Sequence, residues 1–255
     1  MSLESYIKEK RQHKDILLMT HIVLGYPSFE DNLRLVETMV NAGVDLMELQ
    51  IPFSEPMADG PVILKANQAS LDGGATVEQC MEMAEKIASR FDIPFLFMSY
   101  SNVLYKYGFQ AFAEKSRAIG MQGAIVPDLP PEEGADYIAA MTSQGLDPVY
   151  IFAPNSSDKR MVQLAEVGQG FIYCVSRKGV TGSNTEFSSD LKAYLKRSRA
   201  ATDLPLALGF GIKERADVDA VTGLVDIAIV GSESIRVMDN EGLEGIERFI
   251  RSLRP

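Results

Sequence analysis

Eight short apolar or β-branched runs, each followed by a stretch of helical character, constrain the fold of this chain most strongly. The runs are Ile16–Val23, Asp45–Ile51, Phe95–Tyr100, Gly123–Pro127, Pro148–Phe152, Gly170–Val175, Leu204–Phe210 and Val225–Val230. The amphipathic stretches are Phe29–Ala42, Thr76–Phe91, Gln110–Ile119, Pro131–Gln144, Asp158–Val167, Asp190–Ala201, Arg215–Val221 and a last one from Gly242 to Leu253. Unbroken β-α alternation requires right-handed crossovers and a parallel sheet. Eight units in 255 residues, with no linker and no second composition regime, predict one (β/α)₈ TIM barrel over residues 1–255. An open doubly wound sheet stays possible, because alternation alone does not require closure.

Local punctuation agrees with this pattern. Gly43 and Gly120 follow helical stretches, where a left-handed cap is wanted. Pro94, Pro148 and Pro205 stand at strand starts, where a missing N–H does least harm, and Pro131 suits the first position of a helix. The gap between Ile51 and Phe95 leaves room for an extra helix after strand two, over Val62–Leu71. Long loops at strand ends tend to carry function in this architecture.

Composition narrows the partners. With 25 basic and 35 acidic residues the net charge is −10, which argues against non-specific binding to nucleic acid or to an anionic membrane surface. Any anionic substrate must therefore be held by local donors. Cys80 and Cys174 form no C-x-x-C pair and fit a reducing compartment, while His13 and His21 are too few for the usual His-rich metal site. The first residues lack the apolar stretch of a signal peptide, and no apolar run approaches the roughly 20 residues that span a bilayer. A cytoplasmic location is the expectation.

In such a barrel, chemistry sits at the C-terminal ends of the strands. Strand two reads Asp45-Leu46-Met47-Glu48-Leu49-Gln50-Ile51, so Glu48 lies on the opposite face from Met47 and Leu49. If those two pack on the helices, Glu48 points into the barrel, where desolvation raises its pKa and suits it to proton transfer. Asp59, before Gly60-Pro61, first reads as the cap of the following helix. Beside Glu48, however, it is a candidate acid/base partner. Gly179-Val180-Thr181-Gly182, Gly209-Phe210-Gly211 and Gly231-Ser232 place glycines at three consecutive strand ends, and backbone N–H groups there can cradle a phosphate. No strand interior carries a lysine for Schiff-base chemistry and no G-x-S-x-G elbow occurs. Metal-free proton transfer on a phosphorylated substrate remains.

The run Glu48-Leu49-Gln50-Ile51-Pro52-Phe53-Ser54-Glu55-Pro56-Met57-Ala58-Asp59-Gly60-Pro61 closely resembles the signature of the tryptophan synthase α-chain family. The resemblance continues through Tyr100-Ser101-Asn102, Val126-Pro127-Asp128-Leu129-Pro130, Ala153-Pro154-Asn155-Ser156-Ser157, Ser176-Arg177-Lys178-Gly179-Val180-Thr181-Gly182, Gly209-Phe210-Gly211-Ile212 and Val230-Gly231-Ser232. It implies retro-aldol cleavage of indole-3-glycerol phosphate to indole and glyceraldehyde 3-phosphate. By the same resemblance, Glu48 is the acid/base at indole C3 and at the glycerol hydroxyl, and Asp59 accepts the indole N–H. This overturns the cap-first reading of Asp59. Tyr100 and Tyr173 match positions near the substrate, Phe210 the indole pocket, and Thr181 the residue of loop six that helps position the aspartate. Gly182, Gly211, Gly231 and Ser232 match the phosphate cradle. The family also implies a β-chain partner in an α2β2 heterotetramer, with docking elements at Pro52–Pro56 and around Asn102. The chain itself needs no cofactor or metal, and pyridoxal phosphate belongs to the partner.

Five positions depart from the family pattern. His21 stands where an aromatic residue is usual, Tyr26 replaces the acid of a Gly-Asp-Pro turn, Gln50 a glycine and Glu55 an aspartate, and Glu233 follows the phosphate-loop serine. They predict a working lyase with altered pocket polarity. The rival readings are another phosphosugar barrel, a free-standing lyase that releases indole, and a subunit that only activates its β partner.

Overall fold

In the computed structural model, which describes residues 2–175, 189–209 and 211–254, the strands close on themselves. The order is α1 (Leu3–Arg11), β1 (Leu17–Val23), α2 (Phe29–Asn41), β2 (Leu46–Gln50), α3 (Pro61–Asp72), α4 (Val77–Arg90), β3 (Phe95–Met98), α5 (Ser101–Tyr107), α6 (Phe109–Ala118) and β4 (Gly123–Ile125). It continues with α7 (Ala135–Ser143), β5 (Asp147–Phe152), α8 (Asp158–Val167), β6 (Ile172–Val175), α9 (Ser189–Ala200), β7 (Leu206–Gly209), α10 (Arg215–Val221), β8 (Ile227–Val230) and α11 (Ser232–Leu253). Each strand pairs in parallel with the next, and β8 returns to β1 with Leu17 opposite Ile227. The open-sheet alternative is excluded.

Side-chain parity divides the apolar residues into two layers. Leu18, Ile22, Met47, Leu49, Phe95 and Phe97 pack outward with residues of the surrounding helices. Leu17, Met19, Leu46, Leu96, Ile125 and Ile227 fill the barrel itself. Leu3 and Ile7 belong to this inner cluster, and Tyr6 donates to the Asp45 carbonyl just before β2. Helix α1 therefore plugs the N-terminal end of the barrel and leaves the opposite end for chemistry.

The expected helix after strand two is present as α3, and Gly43 and Gly120 take the positive φ values expected of left-handed caps, 99° and 90°. Three local expectations change. Helix α7 starts at Ala135 rather than Pro131, because Pro131 opens an isolated turn closed by Glu133 N–H to Pro130 O (3.0 Å) and Gly134 N–H to Pro131 O (3.3 Å). Helix α11 begins directly after β8 at Ser232, and Gly242 (φ 64°, ψ −159°) kinks it instead of starting it. Helices α1 and α5 are additional elements. None of the described helices is long and apolar enough to cross a membrane.

Candidate active site

Glu48 lies in the middle of β2, between Met47 and Leu49 of the outer layer and in line with Leu46 of the inner one. Its carboxylate consequently enters the barrel and is only 3 % exposed. In the parallel register of β1 and β2, His21 stands opposite Glu48 and Val23 opposite Gln50. His21 Nδ1 meets Glu48 Oε1 at 3.1 Å. Glu48 Oε2 is engaged by no hydrogen bond among the described residues.

Asp59 arrives over the same end of the barrel from the loop between β2 and α3 and is 8 % exposed. It does not cap α3: the N-cap position is Gly60, with no side-chain bond. Its Oδ2 instead accepts from Gln50 Nε2 (2.7 Å) and from the Tyr100 hydroxyl (2.9 Å). The Tyr100 oxygen in turn accepts from Ala58 N–H at 3.1 Å, and its ring stacks on Phe53 with centroids 5.3 Å apart. Asn67 on α3 closes the loop from the other side, accepting from Phe53 N–H at 2.9 Å. Tyr100 is thus wholly buried behind Asp59, where it acts on the carboxylate. Each of the two carboxylates has one oxygen hydrogen-bonded to the protein and one without a hydrogen bond from the described residues.

Burial dominates the electrostatics around Asp59. Burial raises the Asp59 pKa, and neighbouring Glu48 adds to it. The charge of His21 and the bonds from Gln50 and Tyr100 oppose the rise without cancelling it. For His21, burial alone would lower the pKa, but the hydrogen bond and charge of Glu48 outweigh it, helped by Asp59 and the Gln50 side chain, so the ring's pKa lies above its ordinary value. Burial, then the nearby carboxylates Glu48 and Asp59, push the Tyr173 phenol well above its usual range. Tyr173 lies on β6, and a Cβ added at Gly209 of the neighbouring β7 would stand 2.3 Å from its ring. The absence of a side chain at Gly209 is what admits the ring there.

The rim after β7 and β8 carries the glycines. Gly211, after β7, has φ 96°, a conformation that glycine takes without strain. Gly231 precedes α11, and the space its Cβ would occupy lies 3.8 Å from Ile63 and 4.0 Å from the Cβ of His21. Ser232 opens α11, whose N-terminus has no side-chain cap, so its first N–H groups and dipole face the same end of the barrel. Glu233, the acid next to this loop, is drawn along the helix to Arg236 at 2.9 Å. Thr181, Gly182 and Phe210 lie outside the described residues.

Glu48, Asp59, Tyr100 and Tyr173 are therefore brought together at the end of the barrel where Gly211, Gly231 and Ser232 also lie. Two residues read only as departures from a pattern, His21 and Gln50, prove to be direct partners of the two carboxylates. For His21 the signal was present in strand parity, since it shares the inward face of β1 with Leu17 and Met19.

Residues 7–253 match the family model described as Tryptophan synthase alpha chain. The tryptophan synthase alpha chain of Syntrophotalea carbinolica is 61% identical over 252 residues, covering 99% of this chain and all of the relative. That of Desulforapulum autotrophicum is 61% identical over 251 residues, covering 98% and 99%. Among solved structures, Mycobacterium tuberculosis tryptophan synthase superposes with a TM-score of 0.92 at 31% identity, covering 98% of this chain and 96% of that one. The chain belongs to the tryptophan synthase alpha chain family.

Proposed function

We propose that this chain cleaves indole-3-glycerol phosphate to indole and glyceraldehyde 3-phosphate, with Glu48 and Asp59 as its catalytic residues. The observation that carries the assignment is the pair of buried carboxylates at one barrel mouth, each with one oxygen held and one left for substrate. Oε2 of Glu48 protonates indole C3. The bond from C3 to the glycerol carbon then breaks, and the hydroxyl on that carbon gives its proton back to Glu48 as it becomes the aldehyde. Atoms and charge balance, and Glu48 ends as it began. Asp59, through Oδ1, accepts the indole N–H and stabilises the positive charge that C3 protonation places on the ring. Tyr100 and Gln50 aim Asp59, while Tyr173 bounds the indole site.

The phosphate is assigned to the backbone N–H groups at Gly211, Gly231 and Ser232, with Gly182 completing the cradle, and to the dipole end of α11. Thr181 and Phe210 keep the roles implied by the family resemblance. Neutral donors of this kind hold an anion in a protein of net charge −10. Docking of a pyridoxal-phosphate β chain, as an α2β2 assembly, is assigned to the loop after β2 and to α5. There Met57 and Tyr105 are 73% and 78% exposed, large apolar side chains beside Pro52–Pro56 and Asn102.

The test is Glu48→Gln, assayed for indole release from authentic substrate with and without a β chain. General acid-base catalysis of this kind is worth about 100- to 10,000-fold, and a loss of that size is expected with complex assembly retained. Undiminished indole release by the variant refutes the assignment and favours a subunit that only activates its partner.

A further inference from the structure

We propose that His21 is a positioning residue for this reaction, holding Glu48 and sharing one proton with it across the β1–β2 contact, with Gln50 linking this pair to Asp59. The inference rests on the assignment of Glu48 as the acid/base. Its geometric basis is independent of that: the register sets His21 opposite Glu48, and Gln50 one pleat further on the same inward face. Nδ1 to Oε1 is 3.1 Å, both side chains are 3–4 % exposed, and Gln50 Nε2 reaches Asp59 at 2.7 Å. The remaining atoms, His21 Nε2 and Gln50 Oε1, are buried without completing a hydrogen bond, although the Gln50 carboxamide is among the groups that favour the charged ring. Two hydrogen-bonded groups, Glu48 with His21 and Gln50 with Asp59 and Tyr100, thus lie side by side on the inward face, with the unpartnered His21 Nε2 and Gln50 Oε1 as the atoms left to join them.

The chemistry follows from the proton count. An imidazolium facing a carboxylate and a neutral imidazole facing a carboxylic acid are two placements of the same proton, and both leave the buried pair uncharged overall. Moving the proton from Nδ1 to the Glu48 carboxyl, which then turns its protonated oxygen from His21 toward the substrate, makes Glu48 the acid that protonates C3. When the substrate hydroxyl returns a proton to Glu48, the pair is restored. The ionisable groups facing the ring or its partner are Glu48, Asp59, Tyr100 and Tyr173. Behind β1, helices α2 and α11 contribute Leu35, Met39, Ser234, Ile235 and Met238, with the Tyr26 phenol turned away to Asp239 at 2.8 Å. Nothing in that apolar wall competes for the proton.

The chain has two histidines, so the His21 ring is readily followed in an imidazole ¹⁵N NMR titration of the whole protein. The His21 midpoint is expected to fall in Glu48→Gln. His21→Phe is expected to lower kcat at least 30-fold while changing KM less than threefold. Its kcat/KM profile should lose the alkaline limb set by His21. His21→Gln keeps a donor without a titrating charge; it should retain more of kcat than the phenylalanine variant and lose the same alkaline limb. His21 ring ¹⁵N shifts that are the same in the wild type and in Glu48→Gln across the titration, or variants with the wild-type pH profile, overturn the proposal. If the wild type itself releases no indole, the assigned reaction falls, and the titration still decides whether the pair exists.

Discussion

Tyr100→Phe isolates one hydroxyl at the hinge of the proposed site. The ring is wholly buried and stacked on Phe53, and a phenylalanine keeps both features. Two bonds are lost: the one donated to Asp59 Oδ2 at 2.9 Å and the one accepted from Ala58 N–H at 3.1 Å. A hydrogen bond to a charged acceptor is worth about 1.5–3 kcal/mol, and a part-buried N–H left without a partner costs about 1 kcal/mol more. The loop between β2 and α3 should therefore lose about 2–4 kcal/mol of local restraint, while the barrel, closed by its eight strand pairs, keeps nearly all of its stability. If half of that restraint orients Asp59 in the transition state, kcat/KM falls on the order of 10-fold, and if most of it does, several hundredfold. The sign of the pH effect is also set. Tyr100 is one of the groups that pull the raised Asp59 pKa back down, so its removal lets that pKa rise further. The acid limb of kcat/KM must then move to higher pH. Indole release measured from pH 5 to 9, beside a thermal melt of the same preparation, reads both quantities. Activity within twofold of wild type with an unmoved acid limb would refute the idea that this hydroxyl aims Asp59.

Two further substitutions probe the frame of the site. Gly209→Ala places a methyl group 2.3 Å from Cε1 and 2.5 Å from the hydroxyl of Tyr173, so the ring must swing out of its place. Overpacking costs about 1–3 kcal/mol, and here the ring's freedom to move should keep the loss near the lower end while indole release drops more than tenfold; a melt and a steady-state assay compare the two. Asp147 has a pKa raised from 3.8 to about 6, chiefly by burial, with Leu3 N–H pulling it back. A carboxyl whose folded pKa is raised adds stability that is complete below pH 3.8 and lost as pH climbs through about 6. Asp147→Asn should gain about 1–2 kcal/mol at pH 7.5, after allowing for solvent screening at this half-buried site, and nothing at pH 3.5. Urea unfolding at the two pH values checks it, and an equal change at both would refute the linkage.

The parts of the molecule legible in the sequence are those whose cause is local. Met47 and Leu49 flank Glu48 on one strand, so alternation alone turned the acid inward, and Gly43 and Gly120 announced left-handed caps by their own lack of a side chain. Asp59 was ambiguous because its partners, Gln50 and Tyr100, are 9 and 41 residues away, while its immediate neighbours Gly60 and Pro61 resemble an ordinary helix start. Helix α5 escaped notice for a similar reason. Its first N–H, at Ser101, is satisfied by Asp128 from the loop after β4 at 2.8 Å, a cap delivered by the fold. Helix α1 shows only two buried positions, Leu3 and Ile7, in an otherwise charged segment, too little periodicity to mark a helix. The meeting of His21 with Glu48 depended on the register between β1 and β2, which no single strand encodes.

The charge balance at the barrel mouth explains why these departures matter together. Glu48 and Asp59 as bare carboxylates would place two negative charges in a buried site that must also admit a phosphate ester, inside a protein of net charge −10. Distant surface charge is largely screened beyond about 8 Å at physiological ionic strength, so the local arrangement decides. Gln50 and Tyr100 hold Asp59 with neutral donors, and backbone N–H groups are assigned to the phosphate. Neither device removes a charge. His21 does: paired with Glu48 it leaves one net negative charge between the two acids instead of two. That remaining charge sits on Asp59, the carboxylate assigned to the indole nitrogen, which is where positive charge develops when C3 is protonated. An aromatic residue at position 21 would return the second charge to the mouth. A barrel with that residue must keep Glu48 neutral by protonation or expose it to water.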